Sequence, residues 1–266
     1  MSRQVNILDK IVRDKREEVA AKQRVLPLSY LKGSPLMQRE TYSLSEMVRA
    51  GSGIITEFKR RSPSRQVINQ KSSLLDVLRG YQQAGASGVS VLTDTKYFGG
   101  SLDDLVQARS CLEIPLLRKE FITDPYQIYE ARAFGADAVL LIAAVLSKEE
   151  VLAYSELADR LGMEVLLEIH DEEELQRCDL RHVQLVGVNN RNLKTFEVDL
   201  ETSRRLSAMI PGDRVRVSES GISEAGSIRE LRQFGFQGFL IGENFMRTED
   251  PARAATEFLK ELSDED

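Results

Sequence analysis

The stretch IPLLRKEFITDPYQIYEARAFGADAVLLI, residues 114–142, decides how this chain folds. Its first apolar run stops at Lys119. A run of apolar residues without alternation suits a parallel strand covered on both faces, so 115–119 is expected to be such a strand. DPYQIYEARAFGA then shows helical spacing, with Asp124-Pro125 offering an N-cap and an N1 proline and Gly135 a C-terminal cap. A second apolar run at 137–143 follows at once. Strand, helix and strand in that order imply parallel pairing through a helical crossover.

The same unit recurs along the chain. Strands are expected at 53–58, 88–93, 115–119, 137–143, 164–169, 184–189, 214–218 and 238–241, separated by helical segments that include SLLDVLRGYQQAGA, SLDDLVQARSCL, SKEEVLAYSELADRLG, DLETSRRLSAMI and AGSIRELRQFG. Gly85, Gly162 and Gly235 suit helix C-termini as Gly135 does. Eight alternations argue for closure into an α/β (β/α)8 TIM barrel rather than an open sheet. An open doubly wound sheet would call for a GxGxxG after the first strand and a ribose-binding carboxylate pattern, and neither is present. The expectation is one barrel domain over 1–266, with 1–50 as an N-terminal helical extension. In that extension ILDKIVRDKREEVAAK places Ile7, Leu8, Ile11, Val12 and Val19 on one helical face, and YSLSEMVRAG reads as a second, shorter helix. The two helices are expected to plug the bottom of the barrel or cover its side, and the first in particular to have a packing role. Whether the loop between the two roofs a site stays open.

Composition narrows the classes of function. With 266 residues, 42% hydrophobic and 29% charged, the chain can bury a large core, and its net charge of −6 gives no basic stripe for nucleic acid or an acidic membrane. KRRSPSR at 59–65 is the local exception, a solvated loop or a binding loop. Cys111 and Cys178 form neither a disulfide framework nor a CxxC pair, and His170 and His182 are too few for a His-rich zinc site or a Ser-His-Asp triad. His170 is expected to be structural. No signal peptide or long apolar stretch is visible, so a soluble, cytoplasmic protein is expected.

Chemistry gathers where the apolar runs stop. Glu57 and Lys59 end GIITEFK, Lys119 ends IPLLRK, Glu168 ends MEVLLE, Asn189 ends QLVGVN, Glu219 and Ser220 end VRVSES, and Gly242 ends GFLIG. In such barrels the active site lies at these strand ends. Lys119 and Glu168 form a candidate proton-transfer pair, since burial or neighbouring cations can lower a lysine pKa and burial can raise that of a glutamate; the plainer reading is a structural ion pair. Glu57 and Lys59, two residues apart, share a face. Two lysines and two glutamates aimed at one cavity would be a costly way merely to stabilise a core. Gly221 and Gly242 follow strands seven and eight, where barrels bind phosphate through backbone N–H groups and a short extra helix, for which GENFM leaves room. The phosphate is expected at Ser220, Gly221, Gly242 and Glu243, with Lys59 assisting.

The blocks EFKRRSPS, VLTDTKYFGG, LLRKEFITDPYQIYEARAFGADAVLLI, LLEIH, GVNNRNL, SESGI and FLIGENFM resemble, in order, the successive motifs of the indole-3-glycerol-phosphate synthase family, from about residue 6 to 255. The resemblance implies a (β/α)8 carboxy-lyase of tryptophan biosynthesis, acting on 1-(2-carboxyphenylamino)-1-deoxyribulose 5-phosphate. It implies Lys119 as general acid at the substrate carbonyl, Glu168 in the other proton-transfer role, and Lys59, oriented by Glu57, near the leaving hydroxyl. Asn189 and Ser220 match further catalytic positions. Arg191, Ser62 and Ser64 match positions that hold the anthranilate carboxylate and order the first loop, and Phe98 and Phe121 would pack the aromatic ring. No metal, nucleotide or pyridoxal cofactor is expected, and the partner is a small phosphorylated substrate, bound by a monomer or weak homodimer.

The sequence departs from the commonest family pattern at Glu120 in place of Asp, Arg65-Gln66 in place of Lys-Gly, Asn192 in place of Asp and Asn244 in place of Ser. Glu120 is one methylene longer, so any contact with Lys119 is open to change. Glu243, beside the expected phosphate, must turn its carboxylate away. Two other functions compete. A phosphoribosylanthranilate isomerase would need a Cys/Asp acid–base pair that these strand ends lack, and a noncatalytic phosphate-ligand sensor would have no use for Glu57, Lys59, Lys119 and Glu168 together.

Overall fold

The computed structural model describes residues 6–192 and 195–264; Leu193 of the NNRNL block lies outside the described residues. Helices α1 (Ile7–Val25) and α2 (Leu28–Lys32), a 3-10 turn (Pro35–Gln38) and α3 (Leu44–Ala50) precede the first strand. Strands and helices then alternate: β1 (Ile54–Phe58), α4 (Leu74–Gln83), β2 (Gly88–Leu92), α5 (Thr95–Phe98), α6 (Leu102–Cys111), β3 (Leu116–Lys119), α7 (Tyr126–Ala133) and β4 (Ala138–Ile142). The second half runs α8 (Lys148–Arg160), β5 (Glu164–Ile169), α9 (Glu172–Arg177), β6 (Leu185–Asn189), α10 (Glu201–Ser207), β7 (Val215–Glu219), α11 (Ala225–Gln233), β8 (Gly238–Ile241), α12 (Glu243–Met246) and α13 (Pro251–Ser263). Each strand pairs in parallel with the next, and β8 pairs with β1 to close the barrel. Every expected strand is found to within one residue at either end.

Local chemistry explains the boundaries. Ser73, Ser101, Ser147 and Asp171 accept hydrogen bonds from the first-turn N–H groups of α4, α6, α8 and α9, and Ser147 with Glu150 completes a reciprocal capping box. Gly85, Gly135, Gly162 and Gly235 all hold positive φ after a helix, as their residue type suggests. At α7 the cap shifts by one residue: Pro125 is the N-cap, and Asp124 Oδ1 accepts from the Tyr126 N–H at 2.8 Å. Helices α2, α5 and α9 span only four to six residues, too short for periodicity to reveal.

Side chains alternate across each strand and so build two apolar layers. Ile54, Val89, Leu116, Leu141, Val165 and Val186 face outward into the layer beneath the helices. Ile55, Leu117, Leu140, Leu166, Val217 and Leu240 face inward, where Leu44 and Val48 of α3 join them. Helix α3 therefore closes the N-terminal end of the barrel, held by Glu164 at the start of β5, which accepts from Ser43 Oγ at 2.8 Å and from Ser45 N and Oγ at 2.7 Å each. Helix α1 buries Ile11, Lys15 and Val19. Its Ile7, Leu8 and Ile11 line the cavity at the other end of the barrel. Of the two N-terminal helices, the shorter one takes the bottom of the barrel, because its Leu44 and Val48 fit the barrel floor, while α1 packs beside the mouth. No helix among the described residues is long and apolar enough to cross a membrane.

Candidate active site

The inward parity of each strand carries past the apolar layer into a cavity at the C-terminal mouth. Two residues beyond Leu117, Leu166, Gly187, Val217 and Leu240 stand Lys119, Glu168, Asn189, Glu219 and Gly242, and beyond Ile55 come Glu57 and then Lys59. The two-residue repeat of a strand is enough to converge them.

Lys119 is at the centre. Its Nζ lies 2.5 Å from Glu219 Oε2 and 3.3 Å from Glu168 Oε2. Asn189 Nδ2 donates to Glu168 Oε1 at 3.1 Å, and Asn189 Oδ1 accepts from Ser220 Oγ at 2.9 Å and from the Arg191 N–H at 3.0 Å. Across the cavity Lys59 Nζ meets Glu57 Oε1 at 2.6 Å. Gly242 leaves room for that carboxylate, since a Cβ there would stand 2.6 Å from Glu57 Oε1. His170 stands behind Glu168: its Nε2 lies 3.5 Å from Glu168 Oε1 without a hydrogen bond, while Nδ1 faces Glu174 at 3.3 Å.

Charge states run opposite to the sequence expectation. Burial alone would lower the pKa of Lys119, but Glu219, Glu168 and Glu57 outweigh it and hold the ammonium above its usual value. Burial alone would raise Glu168; the charges of Lys119 and His170 and the Asn189 hydrogen bond overcome it and keep this carboxyl below its usual value. Glu219 bears the cost. Burial, only partly offset by Lys119 and reinforced by Glu168, pushes its carboxyl up to about 7, and its Oε1 has no hydrogen-bond partner. The reason is that carboxylates, not cations, surround the lysine, and two acids sharing one ammonium divide the stabilisation unequally.

Around this charged floor the cavity is partitioned. Phe98 at the end of α5 and Phe121 after β3 form an aromatic wall, their centroids 5.9 Å apart at 40°. Ser62 and Ser64 line it from the loop after β1, their hydroxyls 3.1 Å apart. Arg191, Gly221, Gly242 and Glu243 complete the opposite rim. Ser220 and Gly221 both take left-handed backbone, with φ of 68° and 81°. Asn190 Nδ2 secures the turn by donating to the carbonyls of Glu219 at 3.0 Å and Ser220 at 3.1 Å. No hydrogen bond among the described residues uses the backbone N–H of Gly221 or of Glu243, which leaves both free for an anion at the start of α12.

A profile described as Indole-3-glycerol phosphate synthase matches residues 8–258. An indole-3-glycerol phosphate synthase of Bacteroides thetaiotaomicron is 45% identical over 258 residues, covering 97% of this chain and 99% of the relative. The chain belongs to the indole-3-glycerol phosphate synthase family. A second member, from Paracidovorax citrulli, is 43% identical over 94% of this chain and 97% of its own length. Among solved structures, thiamine phosphate pyrophosphorylase from Pyrococcus furiosus superposes with a TM-score of 0.61 at 15% identity, over 84% of this chain and 98% of the other. Tryptophan synthase subunit alpha from Legionella pneumophila gives 0.59 at 12% identity, over 82% and 96%. At such identities these two show a shared barrel fold.

Four of the departures from the indole-3-glycerol phosphate synthase pattern, at Arg65, Asn244, Asn192 and Glu120, find a partner. Arg65 Nη1 pairs with Glu243 Oε1 at 3.0 Å, and Arg191 Nη2 lies 3.9 Å from Oε2, so the Glu243 carboxylate is engaged by cations from two loops. Asn244 Nδ2 donates to the Ser223 carbonyl at 3.2 Å and ties the loop after β7 to α12. Asn192 Oδ1 accepts from the Thr195 N–H at 3.1 Å. Glu120 accepts from Thr93 Oγ1 at 2.8 Å and makes no hydrogen bond to Lys119. The sequence places Glu219 at a strand end without giving it a task, and Ile7, Leu8 and Ile11 on a packing face without giving it a partner. The signal for Glu219 was its parity, two residues past the inward Val217; for α1 the apolar face showed burial, but not against what.

Proposed function

We propose that this chain closes an indole ring: 1-(2-carboxyphenylamino)-1-deoxyribulose 5-phosphate becomes indole-3-glycerol phosphate, with loss of carbon dioxide and water. The observation that carries the reading is the position of the Lys119 ammonium, buried between Glu168 and Glu219 on the floor of a cavity with an aromatic wall on one side and free backbone N–H groups on the other. In this reading the aromatic ring rests against Phe98 and Phe121, and Arg191, Ser62 and Ser64 hold its carboxylate. The phosphate takes the backbone of Ser220, Gly221, Gly242 and Glu243, with Lys59 reaching toward it.

The ring carbon bearing the carboxylate attacks the substrate carbonyl, whose oxygen gains charge and takes a proton from Lys119; a positioned acid at that oxygen is worth about 10²–10⁴ in rate. Carbon dioxide leaves with the ring bond reforming behind it. The new hydroxyl then departs as water, protonated by Lys59 with Glu57 holding it in place, while Glu168 accepts the proton lost from the ring system. Its lowered pKa keeps Glu168 ionised, the form that can accept a proton. Glu219 and Asn189 fix the positions of Lys119 and Glu168, and Ser220 fixes that of Asn189. The substrate bears a phosphate and a carboxylate, charges that retain it within a cell's aqueous interior, which supports a cytoplasmic site for the reaction.

The test is direct. Chelator-treated protein, with no metal or cofactor added, is expected to convert the substrate with the appearance of indole fluorescence. The chain has no tryptophan to obscure that signal. Binding of the substrate by folded protein without indole or carbon dioxide release would overturn the reading.

A further inference from the structure

Helix α1 inserts one cation into the wall of the barrel mouth. Lys15 is 2% exposed, and its Nζ lies 2.9 Å from Asp94 Oδ2, 3.2 Å from Glu120 Oε1 and 2.9 Å from Glu18 Oε2. Its ammonium donates a hydrogen bond to Glu18 and is ion-paired with Asp94 and Glu120. Two of these carboxylates have a second task. Asp94 Oδ1 accepts the N–H groups of Tyr97 at 2.6 Å and Phe98 at 3.2 Å, starting the short helix α5. Glu120 Oε1 accepts the N–H of Phe121 at 2.8 Å, while its Oε2 is taken by Thr93 Oγ1 at 2.8 Å with Arg118 Nη2 at 3.7 Å. Among the described residues, Lys15 is the one side chain ion-paired with both Asp94 and Glu120.

The backbone of each aromatic wall residue therefore hangs on a carboxylate, and one ammonium joins the two carboxylates. We propose that Lys15 is a positioning residue for the aromatic half of the substrate: by clamping Asp94 to Glu120 it fixes the spacing of Phe98 and Phe121, and it seats over the same cavity the helix that carries Ile7, Leu8 and Ile11. The inference rests on the functional reading above for the identity of the ring. Without the ammonium, two buried carboxylates would face each other unscreened, and like charge in a low-dielectric site drives such groups apart. Each would carry its bonded amide with it. Arg118 still compensates Glu120 in part, so the effect is a wider slot rather than loss of the barrel.

The test uses the full chain with Lys15→Met and, as a milder change that keeps shape, Glu120→Gln. Amide hydrogen exchange in the absence of substrate is expected to quicken by about tenfold or more at Phe98 and Phe121 in Lys15→Met, with β5 and β6 amides unchanged. In Glu120→Gln only Phe121 should quicken. Anthranilate, as a probe for the ring alone, should bind about tenfold more weakly to Lys15→Met while inorganic phosphate binds within about twofold of wild type, and KM should rise far more than kcat falls. Unchanged exchange at both amides with unchanged anthranilate binding would reduce Lys15 to a helix anchor and overturn the proposal. Should Lys15→Met fail to fold, Glu120→Gln decides alone: normal Phe121 exchange and normal anthranilate affinity overturn it. A wild-type chain that forms no indole would sink the functional reading, while the exchange measurement would still decide what Lys15 does.

Discussion

Gly187 on β6 stands against Glu219 on β7 so closely that a Cβ at Gly187 would lie 2.2 Å from Glu219 Oε1. The glycine leaves the space in which the carboxylate turns toward Lys119. The same register pairs Gly187 with Val217, two residues before Glu219, so the room is built into the ladder.

Gly187→Ala is expected to leave the barrel folded and to displace Glu219, whose carboxylate is the movable partner in the clash. The Lys119 contact at 2.5 Å would be lost. A fall in kcat of about tenfold or more is expected, with Tm little changed. Gly226→Ala in α11, where an added Cβ meets nothing within 4 Å, serves as the control and should keep full activity. Equal activity in the two variants would remove Glu219 from the mechanism.

In the proposed mechanism Lys119→Ala removes the acid at the carbonyl, and it should lower kcat by about 10² or more. Glu168→Gln keeps the shape and loses the proton acceptor, so turnover should slow while substrate affinity stays near normal. Steady-state kinetics beside direct binding separate the two effects. Near wild-type kcat in either variant would exclude that residue.

The raised pKa of Glu219 makes a signed prediction for stability. Its folded carboxyl titrates at about 7 against an ordinary value of 4.5, so the folded state retains a proton that the unfolded chain has lost. Stability falls with rising pH wherever the folded state binds more protons. The stabilisation that Glu219 contributes is therefore full below pH 4.5 and is lost as pH rises through about 7. Urea unfolding of wild type and Glu219→Gln across this range should show the wild type losing ground to the variant as pH rises, then levelling off. A constant difference would contradict a raised pKa.

For the phosphate, Gly221 is a poor site to test, since its φ of 81° and a Cβ contact of 2.3 Å to Val198 would add strain to any charge introduced. Asn244→Asp adds a charge on a side chain of the same shape beside the free N–H of Glu243, while giving up the bond to the Ser223 carbonyl. It should weaken phosphate and substrate alike by roughly 2 kcal/mol, from like charge in a partly dehydrated cleft. Arg181→Ala, at an exposed position paired with Asp179, should not. Phosphate-dependent protection against thermal unfolding measures both, and equal protection would place the phosphate elsewhere.

The sequence by itself determined the barrel, the strand ends and most of the cavity. Those features are local: an unbroken apolar run such as AVLLI marks a strand buried on both faces, a glycine that must hold positive φ marks a helix end, and the two-residue repeat says which residues beyond Leu117, Leu166 and Val217 point inward. Lys119, Glu168 and Asn189 were legible for that reason. Only the tertiary structure decided what each of them faces. The pKa of Lys119 depends on Glu219, 100 residues away in the chain, and the role of Lys15 depends on Asp94 and Glu120, contributed by two other segments. The apolar stripe of α1 announced burial without saying against which end of the barrel, because amphipathicity encodes that a face is covered and not by what. Electrostatics acts through space over a few ångströms, and closing the barrel sets those distances.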